Sequence, residues 1–193
     1  MRHRHDGLAY ELVLPATPPR GGVVVLHGAG SCKENHRDFA RRCAAAGLAT
    51  IVFDQRGHGA SDGALDGRAL EDVATIAARL PDDVPVFLRG SSMGGFIALA
   101  AAAHVGAAGV VAVCPAGREL LLGALREDRL ALGADRAALK ALIQCPRGGL
   151  EVIRGRLHAA APGSRLIAVP GGDHTSAQHD PSCRPRRSGS SSG

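Results

Sequence analysis

One stretch of the chain decides the fold: Val84-Pro-Val-Phe-Leu-Arg-Gly-Ser-Ser-Met-Gly-Gly-Phe-Ile-Ala-Leu99. The apolar run Val86 to Leu88 predicts a buried strand, and the apolar pattern after Gly94 predicts a helix. Between them residues 90–94 read G-x-S-x-G, the pattern of a sharp strand-to-helix turn that lifts its central serine, Ser92, off the sheet edge. The alternative is a glycine-rich turn with an idle serine. The strand before the motif and the helix after it favour a nucleophilic Ser92.

Apolar strands alternate with helical patterns on both sides of this stretch. Further strands are predicted at Leu8–Leu14, Gly22–Gly28, Ala49–Phe53, Gly109–Cys114 and Ser164–Pro170. Helices are predicted at Lys33–Ala46, with Ser31 as its cap, at Arg68–Leu80, and in the regions 117–143 and 150–161. This alternation predicts one α/β domain over residues 1–180, with a mostly parallel sheet flanked by helices. Residues 181–193 are rich in Pro, Arg, Ser and Gly, which predicts a disordered tail.

Composition excludes several classes of function. The net charge is +5, but arginines gather near both ends and aromatic residues are only 3% of the chain, so we expect no nucleic-acid partner. No apolar run is long enough to span a membrane, and no apolar signal core follows the basic start, which we expect to be a solvated arm. The five cysteines are scattered, which predicts reduced thiols and a cytoplasmic protein. We expect no metal and no cofactor.

Four motifs occur in a familiar order: His27-Gly28, Asp54-Gln-Arg-Gly-His-Gly-Ala-Ser-Asp62, the G-x-S-x-G turn and Gly172-Asp-His174. Together they resemble the α/β-hydrolase fold family. Within it the chain looks most like the serine esterase, acylglycerol-lipase and serine-aminopeptidase-like group. The second motif is similar to that group's D-x-R-G-H-G-x-S-D signature.

This resemblance implies a role for each motif. Ser92 would be the nucleophile and His174 the general base that takes the serine proton. The backbone N–H groups of Ala29 and Met93 would bind the developing oxyanion. The ring of His27 is expected to fix its loop. Four further residues are expected to shape a loop rather than to react: Asp54, Arg56, His58 and Asp62.

The chain departs from the family pattern at the third catalytic group. The acid should lie between the serine and the histidine, after a strand that usually begins near a Cys-Pro pair. Here Cys145-Pro146 leads into Arg-Gly-Gly and a helical pattern, and the usual closing helix is also missing. Substitute acids are Glu119, Glu151 and Asp173, of which Glu119 is favoured because it follows the strand after the Ser92 turn. We expect the last strand to move over and pair with residues 110–113.

These observations predict a serine hydrolase that cleaves a small ester or amide through an acyl-enzyme on Ser92. Only the short segment 117–143 stands where relatives insert a lid domain, so no substantial lid and an open, shallow pocket are expected. The alternative is a non-catalytic or crippled relative that lacks the acid. Haloalkane or epoxide chemistry would need an aspartate in place of Ser92. The sequence leaves the oligomeric state open.

Overall fold

The computed structural model describes residues 2–117, which form one six-stranded sheet with helices on both faces. The strands are β1 (Arg2–His5), β2 (Leu8–Val13), β3 (Gly22–Leu26), β4 (Ala49–Phe53), β5 (Val86–Ser91) and β6 (Gly109–Val113). The α-helices are α1 (Arg37–Ala45), α2 (Ala69–Ala77) and α3 (Met93–Ala101), and a 3-10 helix (Lys33–His36) precedes α1. Within this part of the chain no helix is long and apolar enough to cross a membrane.

The sheet has the order β1-β2-β4-β3-β5-β6. The hairpin strands β1 and β2 run antiparallel to each other, and β2 also pairs antiparallel with β4. The other pairs, β3 with β4, β3 with β5 and β5 with β6, are parallel. Parallel neighbours need a crossover connection, and a helix lies between each two successive strands from β3 to β6: α1 after β3, α2 after β4 and α3 after β5. The predicted mostly parallel sheet flanked by helices is therefore confirmed for residues 2–117.

Two hydrophobic clusters cover the two faces of the sheet. The larger one packs α2 and α3 against the sheet and contains fully buried side chains such as Leu26, Ile51 and Leu88. The smaller one places Ala40 of α1 on Val25 and Val52. Side chains alternate between the faces along each strand, so β3 and β4 contribute to both clusters. This explains why β3 is a continuous apolar run in the sequence and β4 is one apart from Thr50.

The amino-terminal residues are not the solvated arm that we expected, because they form β1. Asp6 and Gly7 have positive φ angles of 47° and 73°, the conformation that a tight hairpin turn requires and that Asp-Gly favours. Side-chain contacts stabilise the hairpin in addition to its backbone hydrogen bonds. Arg4 donates to Asp62 at 2.6 Å, and the ring of His3 stacks on Tyr10 with 5.2 Å between centroids.

Two further expectations need correction. The helix predicted from Lys33 begins as a 3-10 turn, and Ser31 does not cap it, since the cap position is Cys32 and the Ser31 hydroxyl accepts a hydrogen bond from Asn35. Cys32 is disulfide-bonded, whereas Cys43 and Cys114 are free thiols. The expectation of five reduced thiols was therefore wrong for Cys32, because the scattered spacing on which it was based does not indicate which cysteines pair.

Several expectations fall outside the described residues. They concern the helical regions beyond Gly117, the last strand and its pairing with residues 110–113, the domain end at 180 and the tail 181–193. The short lid segment lies there too, apart from its first residue. Between the strands of residues 2–117 no lid is inserted.

Candidate active site

Ser92 is the single residue that separates β5, which ends at Ser91, from α3, which begins at Met93. Its backbone angles are φ 51° and ψ −120°, and a positive φ is uncommon for any residue with a side chain. Such backbone conformations cost on the order of 1–3 kcal/mol and persist only where the surrounding structure imposes them. The strain here has an identifiable source, because the chain must reverse from strand to helix within one residue.

The glycines of the motif are required by close backbone contacts. A Cβ at Gly90 would lie 2.6 Å from the Gly95 nitrogen and closer still to the Gly94 carbonyl. A Cβ at Gly94 would lie 2.6 Å from the Leu26 carbonyl carbon and closer still to the carbonyl oxygens of Leu26 and His27. The absence of both side chains therefore lets the first turn of α3 pack directly on the end of β3 and on the loop that follows it.

Backbone hydrogen bonds brace Ser92 from the neighbouring strand. Its N–H donates to the Val113 carbonyl at 3.0 Å, and its carbonyl accepts from Phe96 at 3.1 Å and Ala116 at 3.0 Å. The residue is half-buried. A serine held in this way is accessible at the carboxyl edge of the sheet while its backbone is fixed.

Two backbone N–H groups beside this turn have no acceptor within residues 2–117. Met93 is the first residue of α3, where an N–H has no partner inside its own helix. Ala29 is exposed in the loop after β3, and its N–H makes no hydrogen bond there. The close packing of Gly94 on His27 brings the two segments together. The arrangement suits a pair of donors for an anionic oxygen.

His27 is completely buried, and both of its ring nitrogens have partners. Nε2 accepts a hydrogen bond from the Gln55 N–H at 3.0 Å, so Nδ1 carries the proton and donates to the Gly28 carbonyl at 2.8 Å. Burial, with a smaller effect from the neighbouring His58, lowers the pKa of His27 to about 3. The ring is therefore neutral at physiological pH and is engaged in holding the loop.

Asp54 anchors the loop of residues 54–62 from a fully buried position. Its carboxylate accepts from the backbone N–H of Lys33 at 2.7 Å, from the Lys33 ammonium at 2.6 Å and from the Ala60 N–H at 2.8 Å. The Ser61 hydroxyl donates to the Asp54 carbonyl. With its oxygens engaged in this way, Asp54 ties the 3-10 helix to the loop.

The other charged residues of this loop also have structural partners. Arg56 donates from Nε to both carboxylate oxygens of Asp72 in α2, at 2.9 and 3.0 Å, and from Nη2 to Asp6. Burial raises the pKa of Asp72, and the charge of Arg56 opposes that rise. His58 is buried, with Nδ1 3.0 Å from the Arg56 carbonyl. These contacts are those of a network that shapes the loop.

The described residues contain only part of the predicted site. Ser92 and Met93 adjoin at the start of α3, and Ala29 lies in the loop whose residue His27 meets Gly94. The predicted base His174 and the candidate acid Glu119 lie outside residues 2–117. The alternative acids, Glu151 and Asp173, lie outside them too. In the described part of the chain no group of three or more His, Cys, Asp or Glu side chains could hold a metal ion.

Three residues that support the site were not identified from the sequence: Lys33, Gln55 and Asp72. Lys33 and Asp72 are nearly buried charges, at 5% exposure each, in segments assigned only as amphipathic helices. Asp72 had a weak signal, because it falls among the apolar positions that predict the buried face of α2. Gln55 had none, since the middle position of D-x-R is variable in the motif itself.

The fold and this turn define a class. A mostly parallel sheet with a serine held at positive φ between a central strand and its helix is the arrangement of the α/β-hydrolase fold. Residues 17–133, more than half of the chain, match the family model described as serine aminopeptidase, S33. The chain therefore belongs to the serine aminopeptidase S33 family, a hydrolase family with this fold.

Sequence relatives lie in the same group. A monoacylglycerol lipase from Mycolicibacterium smegmatis is 36% identical over 101 residues, which are 48% of this chain and 36% of the lipase. The chain spans about a third or less of the length of the curated relatives that it matches.

Solved structures agree on the fold. A thermostable carboxyl esterase from Bacillus coagulans superposes with a TM-score of 0.56 at 24% identity, over 68% of this chain and 50% of the esterase. The mouse alpha/beta hydrolase domain-containing protein 10 gives a TM-score of 0.51 at 26% identity, over 67% of this chain and 53% of that protein.

Proposed function

We propose that this protein is a serine hydrolase that cleaves a small ester, or an amide, through an acyl-enzyme on Ser92. The observation that carries the proposal is the backbone of Ser92, held at φ 51° between β5 and α3 beside the N–H groups of Met93 and Ala29. Membership of a hydrolase family and the likeness to a monoacylglycerol lipase support an ester as substrate.

In the proposed reaction the Ser92 oxygen attacks the substrate carbonyl carbon while its proton passes to His174. The carbonyl oxygen becomes an anion and accepts hydrogen bonds from the N–H groups of Ala29 and Met93. The bond to the alcohol or amine breaks, and His174 gives the proton to that leaving group. Water then attacks the acyl group by the same route and restores Ser92. The positive end of the α3 dipole adds to the stabilisation of the oxyanion.

Glu119 is proposed as the carboxylate that orients His174. Without such a group a serine–histidine pair is slow rather than inactive, since loss of the orienting carboxylate costs about 10⁴ in turnover while the oxyanion donors remain. A crippled hydrolase that turns over slowly, or does not turn over, is therefore the second candidate. It is motivated by the lack of a strand and an acidic loop after Pro146 in the sequence.

A fluorophosphonate probe tests the nucleophile, because only an activated serine reacts with it at a useful rate. We expect labelling of the wild-type protein and none of Ser92→Ala. The matched control is Ser91→Ala, which removes the hydroxyl of the neighbouring buried serine and should leave labelling intact. Equal labelling of wild type and Ser92→Ala would refute the assignment. A folded wild-type protein that does not label would favour the non-catalytic alternative.

A further inference from the structure

The proposed oxyanion donor at Ala29 belongs to a peptide unit whose other end is firmly held. The N–H of Ala29 and the carbonyl of Gly28 share one planar unit and point in opposite directions. The Gly28 carbonyl accepts from His27 Nδ1 at 2.8 Å and from the Ser31 N–H at 3.2 Å. Because this oxygen is fixed, the direction of the Ala29 N–H is fixed as well.

The peptide unit before it is held by Gln55. The side-chain amide of Gln55 donates to the His27 carbonyl at 2.7 Å, and the backbone N–H of Gln55 donates to Nε2 of the His27 ring at 3.0 Å. A carbonyl accepts but cannot donate, so the amide nitrogen rather than the amide oxygen must face it. Gln55 is 3% exposed and His27 is fully buried, so both bonds are shielded from bulk solvent.

We propose that Gln55 is a positioning residue for the oxyanion donor, because it holds both the ring and the carbonyl of His27 and thereby fixes the two successive peptide units that end at the Ala29 N–H. Gln55 donates to His27 from both its backbone N–H and its side-chain amide. It acts through His27, whose ring passes the constraint to the Gly28 carbonyl. The inference rests on the proposed function of Ser92 and extends it by one residue that the motif leaves variable.

The chemistry at position 55 is restrictive. The backbone N–H is available from any residue except proline, but the bond to the His27 carbonyl needs a side-chain donor of this length. Methionine has nearly the same length and no donor, so Gln55→Met removes this one bond and keeps the bond to the ring. The His27 carbonyl would then be buried without its partner, and the loop would relax to satisfy it.

The test compares the rate of fluorophosphonate labelling of Ser92 in wild type, Gln55→Met and Asp62→Ala. Phosphonylation develops negative charge on an oxygen that the Ala29 N–H would stabilise. We expect Gln55→Met to label about 10- to 100-fold more slowly, the scale of a misplaced catalytic group. With p-nitrophenyl acetate the loss should fall on kcat rather than on KM, because the donor acts in the transition state.

Asp62→Ala is the matched control. It removes the ion pair that Arg4 makes with the same loop, and this pair involves neither His27 nor the peptide unit between Asp54 and Gln55. Its melting temperature should fall, whereas its labelling rate should stay within about twofold of wild type, a small change on the scale of a lost catalytic contact. If Gln55→Met does not fold, the truncation Gln55→Ala serves, because it also keeps the backbone bond to the ring.

The outcomes separate the two proposals. Rapid labelling of wild type with equally rapid labelling of a folded Gln55 variant would overturn the positioning role and leave the proposed function standing. Equal slowing of the Gln55 variant and Asp62→Ala would also overturn it, since any loss of loop stability would then suffice. No labelling of wild type would remove the proposed function, and the positioning role with it.

Discussion

The contact between Gly94 and the end of β3 makes a quantitative prediction for Gly94→Ala. A Cβ at this position would lie 2.6 Å from the Leu26 carbonyl carbon, whereas ordinary contact begins at 3.4 Å. The methyl group must therefore retreat by about 0.8 Å or more, judged by that carbon alone. The obstructing atoms are backbone atoms of Leu26 and His27, which cannot rotate away as a side chain would. The first turn of α3 has to move instead.

Two opposing effects set the size of the stability change. Alanine is favoured over glycine inside a helix by about 1 kcal/mol. Overpacking of a rigid site costs about 1–3 kcal/mol and occasionally more. Because the clash is with backbone on both sides of a peptide bond, we expect the upper end of this range to prevail, with a net loss of about 2 kcal/mol. For a chain of this length that corresponds to a melting temperature about 4–8 °C lower.

The effect on reactivity should be larger than the effect on stability. The turn that must move carries the Met93 N–H and follows Ser92 directly. A displacement near 1 Å of a catalytic group can reduce the rate about 10²-fold. The assay measures thermal unfolding and the rate of fluorophosphonate labelling on the same preparations.

Gly95→Ala is the control for this prediction. It lies one residue further along α3 and gains the same helix propensity, but its Cβ would meet Pro115 at 3.1 and 3.2 Å, where a shift of a few tenths of an ångström is enough. Its stability should stay within about 1 kcal/mol of wild type. If Gly94→Ala melts within about 2 °C of wild type and labels within twofold of it, the reasoning from backbone contact is refuted.

Two further predictions concern histidines. His174→Ala should slow hydrolysis of p-nitrophenyl acetate by at least about 10²-fold, the scale of a positioned general base, while His179→Ala should matter little. A larger loss of activity in His179→Ala than in His174→Ala would show that His174 is not the general base. Burial, followed by the charge of Arg89, lowers the pKa of His36 to about 4, below the value of about 6.5 in an unfolded chain. As the pH falls, the unfolded state therefore binds a proton before the folded state does. The contribution of neutral His36 to the free energy of unfolding is fully present above pH 6.5 and is lost as the pH drops towards 4, by up to about 1.4 kcal/mol per pH unit. Urea unfolding of His36→Gln at pH 7 and pH 5 should show a smaller loss than wild type, and identical losses would contradict the assignment.

Local sequence signals were sufficient for most of the fold in residues 2–117. The run at Gly22 is apolar at every position, and the run at Ala49 is apolar at every position except Thr50, because both faces of those strands are buried. Such a pattern can be recognised without knowing which strands lie beside them. The turn at Ser92 is likewise local, since its glycines and its serine are adjacent in the chain. The bounds of α2 were less accurate, because Ala69–Ala77 is shorter than the predicted Arg68–Leu80.

The expectations that failed depended on partners distant in sequence. We expected the basic start to be a solvated arm, yet Asp6-Gly7 forms a hairpin turn. The resulting strand β1 is stabilised by contacts such as that of Arg4 with Asp62, 58 residues away. Cys32 gave no local sign of its disulfide. The residues that position the candidate site also depend on partners that are distant in the sequence. Gln55 and His27 lie 28 residues apart, and only the parallel pairing of β3 with β4 brings the ends of these strands side by side. A motif can therefore indicate which atoms react, whereas the residues that aim those atoms depend on strand register. In this chain the register between β3 and β4 places Gln55, the variable position of the D-x-R motif, against His27. That placement makes Gln55 a candidate for orienting the Ala29 N–H.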